Sequence, residues 1–129
     1  MITVDTNILV RIVTNDTPQQ AKRAAALLTK EHIFIPKTVI LEMEWVLRYA
    51  YKLEKSSILK AFQGILGLSN ATAEDAPNVS RALNWYESGL DFADALHLAS
   101  SSDLGKFVTF DDKLCKKAKK IKQVSITCI

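Results

Sequence analysis

The spacing of apolar and polar positions changes several times along this chain, and each change marks a predicted element. Ile2, Thr3 and Val4 form a β-branched run that stops at Asp5, a poor strand former, and so predict a short strand. Beyond it, Ile8, Leu9, Ile12 and Val13 recur at helical spacing. A second helix is predicted from Thr17-Pro18-Gln19-Gln20: Thr17 caps, Pro18 takes the first helical position, and Gln20 completes a capping box. Ala21, Ala24, Ala25, Leu27 and Leu28 supply its buried stripe. Ile33-Phe34-Ile35 predicts a strand stopped by Pro36. Helices are predicted over 38–52 and 56–68, a weak extended piece over 70–73, and further helices over 74–87 and 91–104. Residues 106–110 are the strongest strand after the first, followed by a helix over 111–120 and a last strand over 124–127.

Strands alternating with helices across short connections predict one α/β domain over 1–129, with a parallel sheet covered by helices on both faces. In such sheets the functional crevice lies beyond the carboxyl ends of the strands. Asp5 and Asp111 each follow a predicted strand at that edge.

Charge adds one feature. The net charge is only +3, but Lys113, Lys116, Lys117, Lys119, Lys120 and Lys122 crowd one stretch. Such a run is ordinarily a solvated helix face, and it also suits a polyanion. The apolar runs are too short for a membrane span and no leader pattern opens the chain, so a cytoplasmic protein is expected. Cys115 and Cys128 offer neither a disulfide framework nor metal-ligand spacing, and are expected as reduced thiols.

The acids carry the candidate chemistry. Glu44, Arg48 and Lys52 fall at i, i+4, i+8 and predict an exposed ion-pair ladder. Glu42 shares a helix face with Val39, Val46 and Tyr49 and has no basic partner in register; a carboxylate placed so must be paired, bind a metal or stay protonated. Asp91 and Asp94 suit a capping box one turn long, Asp111-Asp112 suits a helix start, and Asp5 suits a cap. His97 is expected packed among its apolar neighbours, His32 has no assigned role, and Trp45 and Trp85 are expected as core or interface anchors. One by one these acids read as caps. As a set around one crevice they repel, and a divalent cation bound by oxygen ligands, Mg²⁺ or Mn²⁺, removes that repulsion. No nucleophile triad, zinc spacing or glycine-rich phosphate loop competes, which leaves metal-assisted phosphodiester chemistry.

Met1-Ile2-Thr3-Val4-Asp5-Thr6-Asn7, the isolated Glu42, Asp91-Phe92-Ala93-Asp94-Ala95-Leu96 and Thr109-Phe110-Asp111 resemble the four acidic motifs of PIN-domain ribonucleases, above all the VapC-type toxins of toxin–antitoxin pairs. The resemblance implies an acidic quartet of Asp5, Glu42, Asp94 and Asp111, with Asp5 and Asp94 holding the ion directly and Glu42 and Asp111 acting on a second ion or through water. It makes Asn7 and Asp91 auxiliary and prefers Asp111 to Asp112 by motif register. It further implies a PIN-like three-layer sandwich on a parallel sheet of four or five strands, a homodimer, an RNA substrate and a small antitoxin partner. Arg11, Lys113, Lys116 and Lys117 are the expected contacts to the RNA backbone. Two other readings stand beside it: a PIN fold kept as a non-catalytic binding module, and a receiver-like phosphoacceptor domain, in which Glu42, Asp91 and Asp94 would have no role.

Overall fold

The structure is a computed structural model that describes every residue, Met1 to Ile129, and it divides into two compact units, Met1–Glu74 and Asp75–Ile129. The first unit runs β1 (Ile2–Thr3), α1 (Thr6–Thr14), α2 (Pro18–Lys30), β2 (Ile33–Ile35), α3 (Lys37–Tyr49), α4 (Lys55–Leu66) and β3 (Ala71–Ala73). β2 is central. Ile2 and Thr3 pair in parallel with Ile33 and Phe34, and β2 pairs in parallel with Ala71, Thr72 and Ala73 on its other side. The two-residue period of a strand sends Ile33 and Ile35 into the core. There they join Leu9 and Val10 of α1, Ile40, Met43 and Leu47 of α3, and Ile58 and Phe62 of α4 among the most buried side chains of this unit.

The second unit runs α5 (Ala76–Glu87), α6 (Phe92–Ser100), β4 (Phe107–Thr109), α7 (Asp112–Ala118) and β5 (Ile126–Cys128). α5 and α6 pack through Val79, Ala82 and Tyr86 against Phe92, Ala95 and Ala99, all buried, with the Tyr86 ring edge-on to Phe92 at 5.2 Å. β4 and β5 pair in parallel, Phe107 opposite Ile126 and Thr109 opposite Cys128.

Seven helices and parallel strand pairing match the α/β expectation, but the sheet holds three strands, not four or five. β1 ends at Thr3 after two residues, which leaves few ladder groups for a further neighbour. Two helices are shorter than their apolar pattern. α3 stops at Tyr49 because Lys52 takes a left-handed conformation (φ 56°) and the Leu53 N–H closes back on the Leu47 carbonyl at 3.1 Å. α6 stops at Ser100, where the Ser101 and Ser102 hydroxyls bond back to the carbonyls of His97 (2.9 Å) and Ala99 (3.0 Å). The expectation of free thiols also fails. α7 packs on β5, and Cys115 and Cys128 are joined in a disulfide with their Cα atoms 6.3 Å apart. No helix is long and apolar enough to cross a membrane.

Candidate active site

Asp5 leaves β1 in extended backbone, and its Oδ1 accepts the Thr6 N–H at 2.7 Å, capping α1. Thr6 itself is buried, and its hydroxyl donates to Oε1 of Glu42. One residue therefore holds two carboxylates, its N–H on Asp5 and its O–H on Glu42. The packing of α1 on α3 is what brings side chains so distant in sequence together. Thr6 stands inside the aspartate motif, yet nothing in its immediate sequence neighbours names Glu42 as its partner.

The two glutamates of α3 exchange the environments expected of them. The buried face is Ile40, Met43, Glu44 and Leu47, so Glu44 is 1% exposed, whereas Glu42 is exposed. Glu44 is not a rung of a surface ladder: Arg48 grips it with Nε at 2.8 Å and Nη2 at 3.2 Å, and Lys52 lies beyond the helix end. Arg48 in turn lies 4.5 Å over the ring of Tyr49, which packs at 5.3 Å against Trp45. Trp85 is buried as expected, but Trp45 is 56% exposed and is no core anchor.

In the second unit Asp91 caps α6, accepting the Asp94 N–H at 3.2 Å. Asp111 follows β4 and caps α7, its Oδ1 accepting from Lys113 N at 3.0 Å and Leu114 N at 3.1 Å, while its own N–H donates to Thr109 Oγ1 at 3.0 Å. Asp94 sits half-buried in the first turn of α6. Its carboxyl is held above the usual aspartate range, first by burial, then by the negative charges of Asp91 and Asp111, against opposing pulls from His97 and Lys117. His97 is exposed instead of packed, because α6 turns its Ala95, Leu96, Leu98 and Ala99 face inward.

The basic residues divide. Lys113 and Lys116 are exposed, and Lys117 bonds the Gly89 carbonyl at 3.1 Å. Arg11 is tied down, Nε to Gln20 at 2.8 Å and Nη1 to Tyr51 at 2.9 Å and Asp16 at 3.4 Å. Asn7 is exposed in the first turn of α1, where it lines a cavity with Arg11 and Arg23. Arg23 is a cation that the apolar pattern of α2 gave no reason to single out.

Taken unit by unit, the donors are of the type a hard divalent cation takes: Asp5 and Glu42 are carboxylates of the first unit, and Asp91, Asp94 and Asp111 of the second, where the crowding around Asp94 is what a cation relieves. No three such side chains stand close enough to hold an ion as they are. Among known proteins, a family model described as the PIN domain matches residues 2–120. No curated protein matches the chain.

Proposed function

Because the chain belongs to the PIN domain family, whose members are generally nucleases acting on nucleic acid and typically using divalent metal ions, we propose that it is a metal-dependent endoribonuclease and the toxin of a toxin–antitoxin pair. The observation that carries this reading is the half-buried Asp94 in the first turn of α6, where burial first, and then the carboxylates of Asp91 and Asp111, hold its carboxyl above the usual range despite His97 and Lys117. Asp5 and Asp94 are the direct ligands of Mg²⁺ or Mn²⁺ in this proposal, with Glu42 and Asp111 acting on a second ion or through water, and Asn7 and Asp91 supporting. Bound there, the cation lowers the pKa of water and offsets charge on the phosphate. The protein's own contributions are positional. Thr6 fixes Glu42 and orients Asp5, Asp91 orients the first turn that carries Asp94, and Arg11, Lys113, Lys116 and Lys117 meet backbone phosphates.

Labelled structured RNA incubated with Mg²⁺, Mn²⁺ or a chelator tests this. Cleavage is expected only with metal and should leave 5′-phosphate ends. Glu42→Gln should lose about 10²-fold in rate, and Thr6→Val, which removes only the hydroxyl that holds Glu42, about 10-fold, with Thr6→Ser close to wild type. Cleavage that persists in chelator, or a fully active Glu42→Gln, would overturn the assignment.

A groove in the first unit supports the partner. A cavity of about 1020 Å³ is walled by Ile12 and Val13 of α1, Ala25 and Leu28 of α2, and Ala61 and Ile65 of α4. We assign it to an amphipathic helix of a small antitoxin, anchored at i, i+3, i+4 and i+7. Gly64 lines this groove, and a Cβ there would meet nothing within 4 Å. Gly64→Glu should therefore fold and cleave RNA while weakening the co-encoded inhibitor by about 10-fold or more, since it places a charge in an apolar seat. Unchanged inhibition of Gly64→Glu would move the partner elsewhere.

A further inference from the structure

A second cavity in the first unit, of about 530 Å³, opens between α1 and α2 and differs in chemistry from the apolar groove. Asn7 and Arg11, one helical turn apart on α1, face Gln20 and Arg23 on α2, over an apolar floor that includes Ala24 and Leu27. Its polar lining is two guanidiniums and two amides, with no carboxylate. Arg11 is pre-set: Gln20, Tyr51 and Asp16 hold its Nε and Nη1, which leaves Nη2 outside that network. Arg23 is exposed and has neither a hydrogen bond nor an ion pair. An arginine without a partner, lining a cavity of ligand size together with one that Asp16 only partly neutralises, supplies the forked donors that a tetrahedral anion takes.

Resting on the nuclease reading above, we propose that this cavity is a nucleotide subsite of the substrate strand, with a backbone phosphate between Arg11 and Arg23 and the attached sugar or base against Ala24 and Leu27. Position supports the choice of ligand. Asn7 follows the Asp5 cap by two residues and Arg11 by six, so at a helical rise of about 1.5 Å per residue the α1 wall of the cavity starts within about 10 Å of that cap along the helix, and one strand can reach both. Charge selects the phosphate, and the apolar floor selects a nucleotide over a bare ion.

Binding of a short fluorescent single-stranded RNA, followed by anisotropy in chelator across a salt series, tests the subsite without requiring cleavage. Arg23→Ala should weaken binding by about 5- to 10-fold and lower the slope of log affinity against log salt by about 0.7, the value of one lost phosphate contact on a single strand. Arg23→Lys should keep the slope while losing part of the affinity, because the charge stays and the fork goes. Lys22→Ala, an exposed neighbour outside the cavity lining, should shift binding much less. Equal losses in Lys22→Ala and Arg23→Ala, or no loss in either, would overturn the subsite. Thermal shift separates the sources of phosphate: a 5′-phosphorylated dinucleotide should stabilise the wild type more than inorganic phosphate does at equal concentration, and equal stabilisation would reduce the cavity to an anion site. A protein that cleaves no RNA yet shows the Arg23 effect fails the nuclease reading alone; an active nuclease with unchanged Arg23→Ala binding fails the subsite alone.

Discussion

Asp94→Asn is expected to abolish RNA cleavage and, in the same molecule, to raise the melting temperature of the metal-free protein. An acid kept to bind a cation costs the metal-free fold stability, and in the proposed site Asp94 carries that cost. Burial first, then Asp91 and Asp111, hold its carboxyl pKa above the usual aspartate value. The folded state therefore binds this proton more tightly than the unfolded chain does. The stability so gained is fully present below the ordinary aspartate pKa of about 3.9 and is lost as pH rises from there through the raised value, so at neutral pH the ionised Asp94 opposes folding. Asparagine keeps the shape and removes the charge. The expected gain is about 1–3 °C at pH 7, small because Asp94 remains partly solvated, and it should shrink towards zero as pH falls below about 4. Mg²⁺ should raise the melting temperature of the wild type and do so less in the variant, since a ligand that binds only the folded state stabilises by mass action. Cleavage is expected to fall by about 10²-fold or more, beyond the loss usual for a residue that only orients a ligand. Melting scans over pH with and without Mg²⁺, beside a cleavage assay, read all of this. A variant that cleaves normally, or that melts lower at pH 7 than the wild type, would remove Asp94 from the proposed site.

Much of this was legible in the chain, and what was not has particular causes. Caps are local, so Asp5, Asp91 and Asp111 could be read at their helix starts from a few neighbouring residues, and all three side chains accept backbone N–H groups where expected. The face of α3 was not local. Val39, Val46 and Tyr49 make one helical stripe and Ile40, Met43 and Leu47 make another, and periodicity alone does not choose between them. Packing against the rest of the first unit buries the second stripe, which takes Glu44 inward and leaves Glu42 at the surface. The Thr6 bond to Glu42 and the Cys115–Cys128 bond share this character: each joins residues that only the packing of two elements brings together. The length of the sheet was illegible for another reason. Strands of two or three residues carry too few positions for a pattern to fix which neighbours they pair with.

The inward turn of Glu44 sets the largest stability effect expected in this chain, at Arg48. The Glu44 side chain is 2% exposed and the Arg48 side chain 37%, so the pair is a carboxylate in the core gripped by a guanidinium that reaches it from the surface. Removing a surface partner from an exposed helix pair costs only a few tenths of a kcal/mol. Here Arg48→Met withdraws a two-pronged partner from a carboxylate that water cannot reach, a situation that costs about 3–5 kcal/mol when both charges are buried. The exposure of Arg48 argues for the lower end, about 3 kcal/mol. The same change removes the cation from the face of Tyr49, which should loosen its packing on Trp45 and raise the quenching of Trp45 fluorescence by acrylamide. Adding Glu44→Met to Arg48→Met removes the buried charge and fills its place with apolar atoms, and should restore stability to within about 1 kcal/mol of the wild type. This recovery is the sharper half of the prediction, because simple loss of packing by Arg48 would instead make the double variant the weaker of the two. Urea unfolding of the wild type, Arg48→Met and the double variant decides it. A loss below about 0.5 kcal/mol in Arg48→Met, the range of ordinary surface substitutions, would return Glu44 and Arg48 to the exposed ladder that their i, i+4 spacing first suggests.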